Sequence, residues 1–231
     1  MKHNPVICAV DTHDFDRALQ LTKMLYGKIS MVKLGLEFFV TYGLSGVQKI
    51  SDCGIPIFLD LKLHDIPNTV SQAISVIKSS NIAMLTVHIS GGQEMMKRAM
   101  DVIFGSTLKI IGVTVLTSID VDDLGEVGIN NSAVQQVVLL SKLAQKVGLH
   151  GIVCSPLEVK EVRAQCDRDL KVIVPGIRLG DDYNDQKRTE HPRNAILSGA
   201  DYLVIGRPIT TSSDPVQMID TILASIVDLC N

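Results

Sequence analysis

Short runs of continuous apolar residues alternate along this chain with longer stretches whose apolar positions recur at helical spacing. The apolar runs cover 6–10, 29–34, 57–61, 84–89, 109–116, 151–154, 171–174 and 202–205. The helical stretches lie near 14–26, 37–52, 67–79, 92–104, 131–147, 156–165, 192–198 and 214–228. Val134, Val137, Val138, Leu140, Leu143, Ala144 and Val147 show the helical spacing well. Unbroken Val, Ile and Leu suit strands covered on both faces, as in a parallel sheet. Eight such strand–helix units in 231 residues predict an α/β fold, a closed (β/α)₈ (TIM) barrel. An open doubly wound sheet is the architectural alternative. No Gly/Ser/Pro-rich linker or shift of composition interrupts the pattern, so a single domain over 1–231 is expected. The longest non-periodic stretches, 118–130 and 179–191, have a length at which loops often carry function.

In such a barrel the active site forms at the C-terminal ends of the strands. The first run ends at Asp11, and the second holds Lys33. The third runs into Asp60, Lys62 and Asp65, the fourth reaches His88, and the fifth Thr117 and Ser118. The seventh leads into Pro175-Gly176-Ile177-Arg178, and the eighth into Gly206-Arg207. Asp60 and Lys62 are two apart and share one face of a strand, while Leu59, Leu61 and Leu63 share the other. An alternating constellation of acids and bases at the barrel mouth is therefore expected. Surface ion pairs capping the barrel are the bland explanation of any one pair. The whole set favours a functional site, because unpaired charge there is costly and clustered titratable groups in clefts mark sites. Asp-x-Lys-x-x-Asp means little by itself and much at the end of a third barrel strand. Gly206 would let backbone N–H groups approach a phosphate, with Arg207 adding a charge-assisted contact and Arg178 within reach. The alternative is a plain turn glycine beside a surface cation.

Composition narrows the possible partners. Lys plus Arg number 22 against 25 Asp plus Glu, a formal charge of −3, which gives no electrostatic reason to expect nucleic acid or a membrane surface. No apolar run approaches the roughly 18 residues of a membrane span. The segment MKHNPVICAVD meets a charge too early for a secretory signal. Five scattered cysteines without a C-x-x-C suggest a reduced, cytoplasmic setting. His3, His13, His64, His150 and His191 form no metal spacing, and the three carboxylates of 120–123 lack that of a calcium loop. His88 reads as structural, Gly91-Gly92 as the turn into a helix, and Met95-Met96 as core. Nucleotide-cofactor motifs of the G-x-G-x-x-G and G-x-x-x-x-G-K-[ST] kinds are absent.

The motifs AVD at 9–11, VKLG around Lys33, FLDLKLHDIPNTV at 58–70, TVH at 86–88 and VTVLTS at 113–118 resemble the orotidine 5′-monophosphate (OMP) decarboxylases, particularly the short bacterial type. VPGIR at 174–178, DQKR at 185–188 and GADYLVIGRPIT at 199–210 extend the resemblance over nearly the whole chain. The resemblance implies cofactor-free conversion of OMP to UMP and CO₂, with no metal. It implies that Asp11 and Lys33 bind ribose hydroxyls, Lys33 also joining the charge network. Asp60, Lys62 and Asp65 would surround the reacting carbon, with Lys62 as proton donor. Asp65, with Ile66 and Thr69, would reach into the partner's site of a homodimer. Thr117 and Ser118 would lie near the pyrimidine, and Arg178, Gln186, Gly206 and Arg207 would hold the phosphate. Gln186 is anchored on the DQKR run alone. Magnesium-dependent sugar-phosphate decarboxylases and the hexulose-phosphate aldolase share the Asp-x-Lys-x-x-Asp signature, but their pattern has a metal-binding Glu where this chain has Lys33. A non-catalytic sensor of a phosphorylated ligand is the alternative from a different class; it would need the phosphate residues but not Lys62.

Overall fold

The computed structural model describes residues 4–179 and 189–229. The apolar runs become β1 (Val6–Ala9), β2 (Met31–Leu34), β3 (Ile57–Leu63), β4 (Ile82–His88), β5 (Lys109–Val113), β6 (Gly151–Val153), β7 (Lys171–Val174) and β8 (Tyr202–Ile205). They close into a barrel in sequence order, which excludes the open sheet. Closure is made by parallel pairing of β1 with β8, in the register Val6 to Leu203 and Cys8 to Ile205.

Around the strands pack α1 (Phe15–Met24), α2 (Leu36–Ser51), α3 (Pro67–Ile77), α4 (Gln93–Val102), α5 (Val121–Glu126), α6 (Ala133–Val147), α7 (Val159–Gln165), α8 (Pro192–Ser198), α9 (Arg207–Thr210) and α10 (Pro215–Ala224). Local chemistry sets several of their ends. Ser132 and Gln135 form a reciprocal capping box at the start of α6, and Gly148 closes it in the left-handed conformation at φ 85°. Met95 and Met96 on α4 are fully buried, as their sequence context suggested.

One stretch read as non-periodic, 118–130, contains α5. Asp120 caps it by accepting from Asp122 and Asp123 N–H, and the Asp123 side chain accepts from Asp120 N–H in return. Six residues with one buried apolar side chain, Leu124, are too few to display a period. The acidic cluster there starts a helix.

The strands' alternation sorts their side chains into two populations. Val6, Cys8, Val32, Leu34, Ile57, Leu59, Leu61, Leu203 and Ile205 face the helices. Ile7, Ala9, Met31, Phe58, Met84, Ile111, Ile173 and Val204 fill the barrel interior as a separate apolar plug. Burying each large side chain of this kind contributes about 1.5–3 kcal/mol. Two residues beyond Ala9, Met31, Phe58, Met84 and Val204, on the same parity, stand Asp11, Lys33, Asp60, Thr86 and Gly206. The period of two that builds the plug thus aims these groups at the mouth above it.

Candidate active site

The four charged groups at the ends of β1, β2 and β3 form an alternating chain. Lys33 Nζ donates to Asp11 Oδ1 at 3.1 Å and lies 3.3 Å from Asp60 Oδ2. Lys62 Nζ donates to the same Asp60 oxygen at 2.8 Å, and Thr86 Oγ1 donates to Asp60 Oδ1 at 2.9 Å. Lys33 and Asp60 are only 9% and 8% exposed, so their pair is largely screened from water, whereas the Asp11 end of the chain is open to it.

Burial, the largest single influence on Asp60, favours its neutral form. The Lys33 and Lys62 charges, with hydrogen bonds from Lys62 and Thr86, outweigh it and hold the carboxyl below its ordinary range. Burial likewise opposes the charge on Lys33, but Asp60 and Asp11 override it and raise its pKa above the usual lysine value. Both shifts favour the ionised pair. Buried ion pairs are poor stabilisers, and apolar replacements of similar volume are often neutral or better. Stability alone therefore does not account for placing the network over an apolar plug.

Lys62 is, among the described residues, the one non-glycine with positive φ, at 51°. Such backbone costs about 1–3 kcal/mol and persists where its surroundings over-determine it. Here Lys62 N–H donates to Thr86 Oγ1 at 2.8 Å. The strand pairing explains why a side chain takes that bond. Leu59 pairs with Leu85 and Leu63 with Val87, so β3 spends four residues where β4 spends two. Thr86 sits opposite the resulting bulge, a device that re-aims side chains beside sites. Gly35 is constrained differently: a Cβ there would lie 2.7 Å from Asp11 Oδ1 and 3.2 Å from Lys33 Nζ.

A cavity of about 510 Å³ opens over this network, within the range of small-molecule sites. Asp11, Lys33, Asp60 and Lys62 line one part of it, and Gly176, Arg178, Gly206 and Arg207 another. Arg178 Nη1 donates to the carbonyl of Ile177 at 2.9 Å. On either side of residues 180–188, Arg178 N–H donates to Glu190 O at 3.0 Å and Glu190 N–H to Gly176 O at 3.1 Å. Arg207 opens α9, directly after Gly206. A Cβ at Gly206 would meet Ala9 only at ordinary contact distances, 3.5 and 3.6 Å, so packing against the protein does not demand a glycine there. One cavity thus joins an acid–base chain to a cationic rim, fitting a ligand with an anionic group remote from its reacting centre.

The model of the orotidine 5′-phosphate decarboxylase/HUMPS family matches residues 4–222. The chain belongs to this family. It is 71% identical to the orotidine 5′-phosphate decarboxylase of Ehrlichia canis over 223 residues, covering 96% of this chain and 98% of the relative. The enzyme of the same name from the Wolbachia of Culex pipiens is 54% identical, covering 97% and 100%. The crystal structure of orotidine 5′-phosphate decarboxylase from Lactobacillus acidophilus superposes with a TM-score of 0.82 at 35% identity, covering 96% of this chain and 98% of that one.

Several residues assigned from the decarboxylase motifs stand apart from the cavity lining. Asp65, Ile66, Thr69 and Ser118 are exposed. Asp65 Oδ1 accepts from Ile66 N–H at 2.6 Å, and Ile66, 66% exposed, precedes Pro67 at the start of α3. Thr117 does line the cavity. Gln186 lies outside the described residues. His88 packs its ring on His64, centroids 5.4 Å apart. Burial first, then the neighbouring His64 and Lys62, lowers its pKa and favours the neutral imidazole. Among the described residues no group of three or more His, Cys, Asp or Glu is placed to hold a metal ion.

Sequence reasoning passed over two residues. Cys154, after β6, lines the cavity although its apolar run marked it as core alone. Thr86 was quoted only within a motif, yet it bonds both Asp60 and Lys62. Its signal was a hydroxyl at an interior-facing position, two after Met84, between the outward-facing Leu85 and Val87.

Proposed function

We propose that this chain decarboxylates orotidine 5′-monophosphate to UMP and CO₂, the last step of de novo pyrimidine nucleotide synthesis, by direct carbanion formation at C6 without a cofactor. The observation that carries this reading is the Lys62 ammonium held 2.8 Å from Asp60, in the cavity that also presents Arg178 and Arg207. Loss of CO₂ leaves an electron pair on C6 with no adjacent carbonyl to receive it. A cation fixed beside that carbon lowers the barrier without reorganisation. Lys62 then transfers a proton to C6 and is reprotonated from solvent. Asp60, beside the substrate carboxylate, disfavours the ground state. Asp11 and Lys33 bind the ribose hydroxyls, Thr117 and Ser118 flank the pyrimidine, and Arg178, Gln186, Gly206 and Arg207 grip the phosphate. Because the phosphate is remote from the breaking bond, its binding energy can hold the reactive geometry.

Residues 1–231 act as one domain in this reading, as a cytoplasmic homodimer. Asp65, with Ile66 and Thr69, enters the partner's site; their exposure beside the mouth supports this. Among the described residues no helix is long and apolar enough to cross a membrane. No metal takes part, since the position of the sister enzymes' ligand carries Lys33, an ammonium engaged with Asp11 and Asp60.

Loss of OMP absorbance, followed with and without EDTA, tests the reading. Equal turnover in both is expected. No turnover, or turnover that EDTA abolishes and Mg²⁺ restores, would overturn it. Sharing of the site is tested by mixing inactive Lys62→Ala and Asp65→Ala homodimers under subunit exchange. Random exchange makes about half the dimers mixed, each with one intact site, so recovery approaches about one quarter of native activity under two-fold symmetry. No recovery, with heterodimers verified by mass spectrometry, would place Asp65 in its own chain's site.

A further inference from the structure

We infer that Thr86 is a positioning residue for Lys62 and Asp60, an inference that rests on the proposed role of Lys62 as proton donor. Thr86 is fully buried, so water does not substitute for its hydroxyl. That one oxygen makes two bonds of opposite sense. It accepts from Lys62 N–H at 2.8 Å and donates to Asp60 Oδ1 at 2.9 Å.

The two bonds act on different degrees of freedom. The first anchors the left-handed backbone of Lys62 at the bulge, between the Leu59–Leu85 and Leu63–Val87 pairs. The second orients the Asp60 carboxylate by Oδ1, leaving Oδ2 to face Lys62 Nζ at 2.8 Å and Lys33 Nζ at 3.3 Å. Bonding by a hydroxyl whose proton is committed to Asp60 also holds that carboxylate ionised. Thr86 therefore ties the backbone of the proton donor to the carboxylate that pairs with its ammonium, and touches no ligand itself: it does not line the cavity.

Valine is nearly isosteric with threonine and removes both bonds, while serine keeps the hydroxyl. Leaving buried partners unsatisfied predicts that Thr86→Val lowers kcat by about ten- to a hundredfold. KM for OMP should move less than about threefold, because the cationic rim that grips the phosphate is untouched. Thr86→Ser should return kcat to within about fivefold of native, although it opens a methyl-sized void. The readout independent of turnover is amide exchange at Lys62 by NMR, which should be protected in the native protein and in Thr86→Ser and accelerated in Thr86→Val, with neighbouring β3 amides unchanged. A Thr86→Val protein with native kcat, or a native exchange rate at Lys62, would overturn the inference. So would Thr86→Ser failing as badly as Thr86→Val, since packing would then be the cause. If the native chain does not consume OMP, the functional reading fails by that result alone. The positioning of Lys62 is then decided by exchange.

Discussion

The interior of the barrel holds two layers made by the same strands on the same parity, and they obey opposite rules. The lower layer, with Ile7, Met31, Phe58, Met84, Ile111, Ile173 and Val204, is apolar, and of these only Phe58 and Val204 reach the cavity lining. The upper layer, with Asp11, Lys33, Asp60, Lys62 and Thr86, is polar and bonded among itself, and all of these but Thr86 line the cavity. In the lower layer each side chain can be exchanged for another of similar volume at modest cost, because dispersion and water exclusion do not depend on direction. In the upper layer every group depends on a named partner, so identity outweighs volume. A shared backbone period therefore says where a side chain points, and the residue type decides which layer it joins.

The comparison is tested most severely by Lys62→Ala. Turnover of OMP should become undetectable, while the protein stays folded and still binds UMP; a rate within tenfold of native would remove Lys62 from the proposed chemistry. Phe58→Ala, four residues earlier and in the lower layer, should do the reverse. It should cost about 3–5 kcal/mol of stability in denaturant titration, the range for a buried aromatic cut to alanine. Activity per folded molecule should fall far less than with Lys62→Ala, and an activity loss of the same order would blur the two layers into one. Arg207→Ala should weaken UMP binding by about 1.5–3 kcal/mol in calorimetry, the range for a hydrogen bond to a charged group. Uridine should bind the native protein and the variant alike.

The smallest effect expected is on the pH dependence of stability. The folded Asp60 carboxyl titrates below its ordinary value, so its contribution is complete above the unfolded value of about 4 and is lost as pH falls through the folded one. Lys33, raised in the fold, contributes fully below the unfolded lysine value of about 10.4 and loses that contribution as pH rises through its folded value. Asp60→Asn should flatten the acid limb of a melting-temperature profile more than Asp65→Asn, whose carboxylate is exposed. Equal flattening by both would mean that the network is not what the acid limb reports.

Most of the architecture was legible because it depends on local periods. β7 and β8 fall where their apolar runs do, and α8 fills 192–198 as its spacing predicts. The barrel mouth was legible for the same reason, since Asp11, Lys33 and Asp60 continue the inward parity of their strands. What escaped depends on relations between strands. The bulge that gives Thr86 two partners arises from a register shift against β3, and no window of either strand contains it. The crowding that a Cβ at position 35 would meet comes from the ends of the Asp11 and Lys33 side chains, which a substitution would have to displace. The helix α5 is too short to carry a period and was visible only through its cap. Asp65 is a limit of another kind, because one chain's sequence and fold do not say whose site an exposed side chain serves.

The pairing of β1 with β8 has a consequence for how the protein is made. Asp11 emerges from the ribosome early and Arg207 nearly two hundred residues later, yet both line the same cavity. Until the eighth strand is synthesised and docks beside the first, the mouth of the nascent chain lacks Gly206 and Arg207 from its lining. Ligand capture thus cannot precede ring closure, and a molecule that binds the finished mouth selects only for chains that have completed the circle.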